Sequence, residues 1–215
     1  MTRAEFFVSP ANALALAALD GWQGWPGGKM LLLGPPGAGK THLAQIWATE
    51  TGAAQVEGAG MAEADIPALA AAGRVVVEDA AAVAGNPLAE AALFHLHNLI
   101  AQSGGALLLT AEAPPRDWGL ALPDLMSRMQ AAPVTRIEPP DDALLSAVLV
   151  KLFADRQLAV APNLIPYLVA RMPRSVGAAR ELVAALDAAA LAEGRRSRAA
   201  LPRGCCRRRS DLGGR

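Results

Sequence analysis

The 215-residue sequence predicts an α/β fold, with a five-stranded parallel sheet flanked by helices and a small all-helical unit after it. Short apolar runs alternate with helical patterns as far as residue 138, which is typical of parallel strands joined by crossover helices. The segment Gly-Pro-Pro-Gly-Ala-Gly-Lys-Thr at residues 34–41 links the first apolar run to a helical stretch. Beyond Glu138-Pro-Pro140 no strand pattern recurs in the sequence. We therefore expect an α/β domain over residues 1–138 and a helical lid over residues 139–194.

The five expected strands are apolar runs that are too short for buried helices. They lie at residues 30–33, 53–56, 75–77, 106–110 and 134–137. Helical patterns occupy residues 12–19, 40–51, 61–71, 87–103 and 122–130. Pro87 suits a first helical turn, and Gly104-Gly105 ends the same helix.

After the boundary the sequence predicts three helices. Asp141-Asp142 can cap a helix that runs to about residue 155, and further helices are expected over about residues 163–171 and 175–193. Residues 195–215 hold eight Arg against one acidic residue, so we expect a basic, disordered tail. The tail also holds Cys205 and Cys206, which are adjacent and cannot staple distant segments, so they are assigned no function.

The charge of the chain is unevenly distributed. Residues 1–194 carry 12 Lys and Arg against 19 Asp and Glu, a balance of −7. Such a body repels nucleic-acid phosphates, so we expect contact with nucleic acid only weakly or through a partner. The sequence has no run of 18 apolar residues, which a membrane-spanning helix would need, and the first residues lack the apolar stretch of a signal peptide. A cytoplasmic location without membrane contact is therefore expected.

The residue types at 34–41 match the chemistry of a polyphosphate. Gly34, Gly37 and Gly39 let the backbone curl until its N–H groups point at one phosphate chain, and the helix that follows aims its positive end there. Lys40 adds a cation for the β and γ oxygens, and the Thr41 hydroxyl can hold Mg²⁺. The sequence therefore predicts a nucleoside triphosphate site.

Two carboxylates end the third apolar run, Arg74-Val-Val-Val-Glu-Asp79. In a parallel sheet, ligands gather at the carboxyl ends of the strands. Glu78 is assigned to the metal, and Asp79 to the orientation or deprotonation of the attacking water. The alternative interpretation is that both carboxylates merely end a strand in solvent.

With both motifs placed, the sequence resembles the AAA+ ATPases, and within them the DnaA-related regulators of the Hda type, which lack the DNA-binding domain of DnaA. The resemblance covers about residues 5–194. Residues 34–41 resemble the Walker A loop, residues 75–79 are similar to Walker B, and residues 6–12 resemble the segment that packs beside the nucleotide base. Further similar segments, in chain order, are sensor 1 at 107–115, the arginine-finger segment at 122–128 and sensor 2 at 175–182.

The resemblance implies roles for three more residues. Thr110 hydrogen-bonds the attacking water or the γ-phosphate, Arg180 senses the γ-phosphate from the lid, and Arg128 reaches the ATP of a neighbouring subunit. Taken alone, an arginine in a helix is usually a solvated charge, and a threonine that ends a strand usually satisfies a backbone group. The cofactors are ATP or ADP with Mg²⁺, and the implied cofactor-binding set is Gly34, Pro35, Pro36, Gly37, Ala38, Gly39, Lys40, Thr41 and His42.

Three features depart from the family's pattern. Walker B more often begins with Asp, whereas here Glu78 takes the metal position and Asp79 the water position, so we expect at most weak ATPase activity. The Gln-Leu-rich motif for the sliding clamp is not found before Phe6, which leaves clamp binding open. The sequence after Arg198 does not resemble the final segment of the family's lid, and one hypothesis is that a reading-frame change replaced the original end.

The function that the resemblance implies is an ATP- or ADP-operated switch in replication initiation. It docks on a DnaA-type initiator and promotes the initiator's ATP hydrolysis through Arg128. Because Arg128 can also act between two copies of this chain, a homo-oligomer is a further possibility. One alternative is a helicase-loader-type ATPase that binds single-stranded DNA. A nucleotide-bound adaptor with little turnover and a small-molecule kinase are the others, and the kinase ranks low because the lid follows the sheet.

Overall fold

The structure, a computed structural model, describes residues 7–192, with side chains up to residue 189. The expectations for Phe6, for the basic tail and for Cys205 and Cys206 therefore lie outside the described residues. Eight helices are described: α1 Ala13–Asp20, α2 Lys40–Thr51, α3 Ile66–Ala71, α4 Pro87–Ser103, α5 Pro123–Gln130, α6 Asp142–Asp155, α7 Leu164–Val169 and α8 Val176–Ala192. The strands in the same range are β1 Lys29–Leu33, β2 Ala54–Glu57, β3 Arg74–Glu78, β4 Ala106–Ala111 and β5 Val134–Arg136.

The strands form one parallel sheet in the order β2-β3-β4-β1-β5, which confirms the predicted fold class. Leu32 of β1 lies opposite Thr110 of β4 and Thr135 of β5, so β1 occupies the interior of the sheet. Because the strands run in the same direction, their carboxyl ends lie at one edge, and β1, β3 and β4 all deliver polar segments there.

Both faces of the sheet are covered, which explains why β1, β3 and β4 read as unbroken apolar runs. Alternate strand residues point to opposite faces. Leu31 packs with α3, α4 and α5 on one face, and Leu32 packs with α1 and α2 on the other. No helix within residues 7–192 is long and apolar enough to cross a membrane.

Helix α4 begins and ends as its sequence predicts. The Asn86 side chain accepts hydrogen bonds from the N–H groups of Leu88 and Ala89, at 3.0 and 3.3 Å, and Pro87 occupies the first turn. Gly104 ends the helix with φ +68°, a conformation that glycine adopts without steric cost. α4 is therefore fixed along its whole length between the third and fourth strands.

The continuous helix expected over residues 61–71 is wrong. Residues 58–63 form a 3₁₀ turn, Ala64 is extended, and α3 begins afresh at Ile66. The Asp65 carboxylate accepts a hydrogen bond from the Ala68 N–H at 3.0 Å, which makes Asp65 a helix cap. Pro67 has no N–H to donate to the preceding turn, so it favours the start of a new helix over the continuation of an old one.

Helices α6, α7 and α8 follow the sheet and share a separate apolar cluster. Phe153 of α6 packs with Leu168 of α7 and Val183 of α8. The Asp141 carboxylate accepts a hydrogen bond from the Leu144 N–H at 2.7 Å, which confirms the predicted cap of α6.

Candidate functional site

The segment between β1 and α2 forms a tight loop whose shape depends on glycine. Gly37 and Gly39 have φ of +71° and +109°, in the left-handed region that other residues rarely adopt. α2 starts at Lys40 directly after Gly39, so its first N–H groups and the positive end of its dipole face the loop. This geometry can hold an anion through backbone N–H groups.

The Lys40 ammonium lies over the loop. Its Nζ donates hydrogen bonds to the carbonyl oxygens of Gly34 and Pro35, at 2.7 and 3.1 Å. Burial lowers the pKa of Lys40, while the nearby carboxylates of Glu112 and Asp79 oppose that shift. The cation is thus held among the loop, the end of β3 and the end of β4, where phosphate oxygens would meet it.

Glu78 and Thr41 meet at the carboxyl edge of the sheet. The Thr41 hydroxyl lies beside the Glu78 carboxylate at the end of β3, close enough to influence its pKa. Burial raises the pKa of Glu78, the Thr41 hydroxyl opposes this shift, and the charge of Glu57 adds to it. A hydroxyl and a carboxylate close together are the hard oxygen donors that Mg²⁺ takes when phosphates and water supply the rest. The donor set therefore fits Mg²⁺ beside a phosphate chain.

Asp79 and Thr110 are joined through the backbone. The Asp79 N–H donates a hydrogen bond to the Thr110 hydroxyl oxygen at 3.0 Å, and Thr110 is only 2% exposed. Asp79 itself has φ +47°, a left-handed conformation that turns the chain sharply after β3. Thr110 thus satisfies a backbone group, as strand-end threonines usually do, and its hydroxyl proton remains able to donate to another acceptor.

A cleft of about 790 Å³ opens between the loop and helices α6 and α8. The predicted residues Gly37, Ala38, Gly39, Lys40, Thr41, His42 and Arg180 line it, whereas Gly34, Pro35 and Pro36 do not. Its apolar wall is built largely from α6, including Leu144, Val148 and Leu152. The volume is within the usual range for sites of small molecules and cofactors.

The start of α8 rests directly on the loop. The Val176 N–H donates a hydrogen bond to the Gly37 carbonyl oxygen at 3.0 Å. A side chain at Gly37 would collide with the Ser175 hydroxyl, so the close approach requires glycine. Ser175 in turn caps α8, because its hydroxyl accepts the Ala178 N–H at 3.2 Å. Residues after the sheet therefore contact the phosphate loop itself.

The segment before α1 closes the other end of the cleft. Phe7 and Asn12 line the cleft, and Phe7 is 49% exposed. The buried Asn12 side chain accepts the Ser9 N–H at 2.9 Å and donates to the Phe7 carbonyl oxygen at 3.0 Å. These two hydrogen bonds hold the turn that places the Phe7 ring at the cleft.

Arg128 lies apart from the other predicted site residues. It is exposed on α5, and its carbonyl oxygen accepts a hydrogen bond from Lys29 Nζ at 3.2 Å. Lys29 begins β1, whereas the phosphate loop follows the end of β1, roughly 13 Å further along the strand. The structure therefore brings Thr41 close to Glu78 and Lys40 close to Asp79, and it leaves Arg128 near the opposite edge of the sheet.

Sequence reasoning missed two charged residues that organise this region. Glu112 follows β4 and acts on Lys40, and Glu90 is a buried carboxylate on α4. Glu112 could have been found, because it continues a strand whose end was already assigned to the site. Glu90 has no such signal, because its partners are backbone N–H groups elsewhere in the chain.

No protein-family model matches the sequence. Among solved structures, a DNA replication initiation factor has a TM-score of 0.76 at 18% identity, with 90% of this chain and 65% of that chain covered. Domain III of the replication initiation protein DnaA from Thermotoga maritima has a TM-score of 0.75 at 20% identity, covering 92% of this chain and 91% of that one. Replication initiator DnaA bound to AMPPCP and single-stranded DNA has a TM-score of 0.71 at 18% identity, covering 90% and 68%. These likenesses give the chain the fold of the DnaA AAA+ domain, and it spans about two thirds of the replication initiation factor.

Proposed function

We propose that the chain binds ATP or ADP with Mg²⁺ in the cleft beside residues 34–41. The observation that carries this proposal is the glycine loop that holds Lys40 through two carbonyl oxygens and opens, with Lys40 and Thr41, into a cleft of about 790 Å³. A similar solved structure holds AMPPCP, which is an ATP analogue, and this supports the assignment. Residues 139–194 act as the lid of this site, because α8 contacts the loop through Val176.

Each residue has one task in this proposal. The loop N–H groups and Lys40 hold the phosphate chain, and Thr41 with Glu78 holds Mg²⁺, which neutralises charge on the phosphate oxygens. Asp79, exposed at the turn after β3, orients or deprotonates the attacking water. Thr110 keeps the turn in place through the Asp79 N–H and can donate its own proton towards the reacting oxygens.

In this proposal Arg180 acts on the nucleotide of its own chain, and Arg128 acts on the nucleotide of another subunit. Arg180 lines the cleft from α8, so its guanidinium can respond to the γ-phosphate and change the position of the lid. Arg128 is exposed near the opposite edge of the sheet and cannot reach the nucleotide of its own chain. It is placed to supply a positive charge to ATP that is bound by another subunit.

The partner in this proposal is a DnaA-type initiator, and the process is the control of replication initiation. The support is the DnaA-like fold together with an exposed Arg128 remote from the chain's own loop. In a homo-oligomer, the exposed Arg128 would face the nucleotide of a second copy of this chain. Contact with the sliding clamp has no recognisable motif in the sequence before Phe6.

The exposed Arg128 tests this function. Arg128→Ala should abolish the acceleration of ATP hydrolysis by an ATP-loaded DnaA-type partner, a loss of about 10³-fold where the finger acts fully in trans. Binding of ATP by the variant itself, followed by calorimetry, should be unchanged. Arg116→Ala removes another exposed arginine and serves as the matched control. Undiminished acceleration by Arg128→Ala would show that the finger is assigned wrongly.

A second candidate function is binding of single-stranded DNA in the manner of a helicase loader. One observation favours it, because a similar DnaA structure holds single-stranded DNA. The balance of −7 over residues 1–194 argues against it. Fluorescence anisotropy with labelled single strands separates the two functions, since a loader should bind with an affinity that falls steeply as salt rises.

A nucleotide-bound adaptor with little turnover is a third candidate. The exchanged order of Glu78 and Asp79 favours it, because the carboxylate assigned to water is one methylene shorter than glutamate. Such an adaptor would bind ATP with normal affinity and hydrolyse it no faster than a Glu78→Gln, Asp79→Asn double variant.

A further inference from the structure

Helix α5 carries Arg128 and is too short to hold its own position. It has eight residues, Pro123–Gln130, and isolated helices of this length are not stable in water. Leu122, which precedes the helix, has no side-chain oxygen with which to cap it. Leu125 and Met129 bury one face of α5 in the core, so the place of the Arg128 guanidinium depends on this packing and on what holds the two ends of the helix.

The start of α5 is held by a buried carboxylate. Glu90 of α4 is 1% exposed and accepts hydrogen bonds from the N–H groups of Ala121, at 3.0 and 3.1 Å, and of Leu122, at 2.7 Å. It also accepts the Gly85 N–H at 3.2 Å. Several charge-assisted hydrogen bonds to one buried carboxylate make a strong and directional contact.

The end of α5 is held by Lys29. Its ammonium donates to the carbonyl oxygen of Arg128 in the last turn, at 3.2 Å, where helical carbonyls have no partner within the helix. Lys29 Nζ also lies 2.9 Å from His97 Nε2, which accepts the hydrogen bond when that nitrogen carries no proton. A cation at the carboxyl end of a helix is favourable for the dipole as well.

Both contacts trace back to one face of α4. Glu90 and His97 are seven residues apart, which is close to two helical turns, so they lie on the same side of the helix. Glu90 holds the start of α5 directly, and His97 orients Lys29 at its end. α4 thus supports α5 at two points, on either side of the Arg128 helix.

We infer that Lys29 and Glu90 are positioning residues for Arg128. They fix α5, so that the Arg128 guanidinium meets a phosphate of the partner's nucleotide at a defined position. This inference rests on the proposed function. Lys29 and Glu90 touch no nucleotide themselves, and they act through the helix that carries the finger. A displacement of about 1 Å at such a group can cost a hundred-fold in rate.

The test measures ATP hydrolysis by an ATP-loaded DnaA-type initiator while the full-length chain is titrated in. Lys29→Met and Glu90→Gln should each lower the maximal stimulated rate by about ten-fold or more, with the half-saturating concentration unchanged. Lys29→Arg keeps a cationic donor and should retain most of the rate. Glu63→Gln removes an exposed carboxylate and is the matched control for Glu90→Gln.

A double-mutant cycle separates positioning from a general structural role. Arg128→Lys keeps a positive charge and is the background for the cycle: if Lys29 acts through the Arg128 guanidinium, Lys29→Met should cause a smaller loss of rate in that background than in the wild type. An equally large loss in that background would overturn the inference. Full maximal rate in Lys29→Met, alongside loss in Arg128→Ala, would overturn it while leaving the proposed function intact.

Hydrogen exchange gives a readout that does not need the partner. Amides of residues 124–130 should exchange faster in Lys29→Met and Glu90→Gln than in the wild type, whereas those of α2 should not change. If Glu90→Gln does not fold, the test depends on Lys29→Met, because Lys29 is only half-buried. Unchanged exchange in α5 of Lys29→Met would contradict the inference, and no stimulation by the wild-type chain would reject both it and the proposed function.

Discussion

At the residue scale, single side chains carry most of the chemistry that the site can perform. Lys40 is the clearest case, because one ammonium contacts two loop carbonyls and is influenced by carboxylates from two strand ends. Its hydrogen-bonding protons are therefore directed into the loop that we assign to phosphate. The contribution of Lys40 should appear in binding more than in stability.

Lys40→Ala should weaken ATP and ADP binding by about 1.5–3 kcal/mol, the usual worth of a hydrogen bond to a charged group. This corresponds to roughly a ten- to hundred-fold rise in Kd. Isothermal titration calorimetry measures it, with Arg116→Ala as a control that removes one exposed positive charge. Equal affinities for wild type and Lys40→Ala would show that the loop does not bind phosphate in the proposed way.

His97 makes stability depend on pH. Burial lowers the pKa of His97, the charge of Lys29 lowers it further, the hydrogen bond with Asn98 opposes this, and Arg128 lowers it again. The folded protein therefore binds this proton less readily than the unfolded chain, whose histidine pKa is about 6.5. The stabilising contribution is complete above about pH 6.5 and is lost as pH falls towards the lower pKa of the folded state.

The free energy of unfolding should consequently fall more steeply between about pH 6.5 and 5 in the wild type than in His97→Gln. Urea unfolding at a series of pH values measures this difference. His95→Gln, on the exposed side of the same helix, should keep the wild-type slope. Parallel curves for wild type and His97→Gln would mean that His97 takes up its proton equally readily in both states.

At the element scale, one contact joins the start of α8 to the loop at residues 34–41, and in the proposed function it sets how the lid meets the nucleotide. The Val176 N–H bonds the Gly37 carbonyl, and the Ser175 hydroxyl lies where a side chain at Gly37 would be. The loop and the first turn of α8 therefore adjust together. This contact requires both the left-handed φ of Gly37 and the absence of a side chain there.

Gly37→Ala should cost about 1–2 kcal/mol in stability for its left-handed backbone and should also displace α8 from the loop. Gly52→Ala is a matched control, because Gly52 has φ +70° and a methyl group added there would meet no atom within 4 Å. Both variants should lose similar stability, but only Gly37→Ala should lose nucleotide affinity, by about ten-fold. Equal affinities in calorimetry would show that α8 does not contribute to binding.

At the scale of the whole molecule, the sheet separates two functional edges. The carboxyl edge gathers Lys40, Thr41 and Glu78, whereas Arg128 lies near the opposite edge on α5. A chain with this layout can hold one nucleotide and act on another. A nucleotide that binds in the cleft between the loop and α6 and α8, as we propose, should raise the stability of the whole protein.

Nucleotide with Mg²⁺ at about 100 times its Kd should stabilise the fold by about 2.7 kcal/mol. For a chain of this size the Tm should rise by roughly 5–10 °C. Removal of Mg²⁺ with EDTA should reduce the rise, and Glu78→Gln should abolish the part that depends on Mg²⁺. Thermal unfolding measures all three, and a Tm that does not respond to nucleotide would contradict the proposed site.

The fold class and the shape of the loop at residues 34–41 could be predicted from the sequence, because both depend on local patterns. Buried strands read as apolar runs, and the glycine spacing at residues 34–41 specifies a backbone shape without help from distant residues. The same locality explains the caps at Asn86 and Asp141, which bond N–H groups only two or three residues away. The break at Asp65 was also local, but the alanine-rich helical pattern around it concealed the capping signal.

Contacts between residues far apart in the chain could not be predicted in this way. Two partners of Glu90, Ala121 and Leu122, lie 31 and 32 residues further along the chain, and Lys29 is 68 residues from His97 and 99 from Arg128. No periodicity relates such positions, because their contact depends on how α4 and α5 pack on the sheet. Likewise, the hydrogen bond between Val176 and Gly37 depends on how α6 and α7 pack with α8 and so place its first residues. Local spacing sets the shape of each element, and packing of side chains between elements sets their distances from one another.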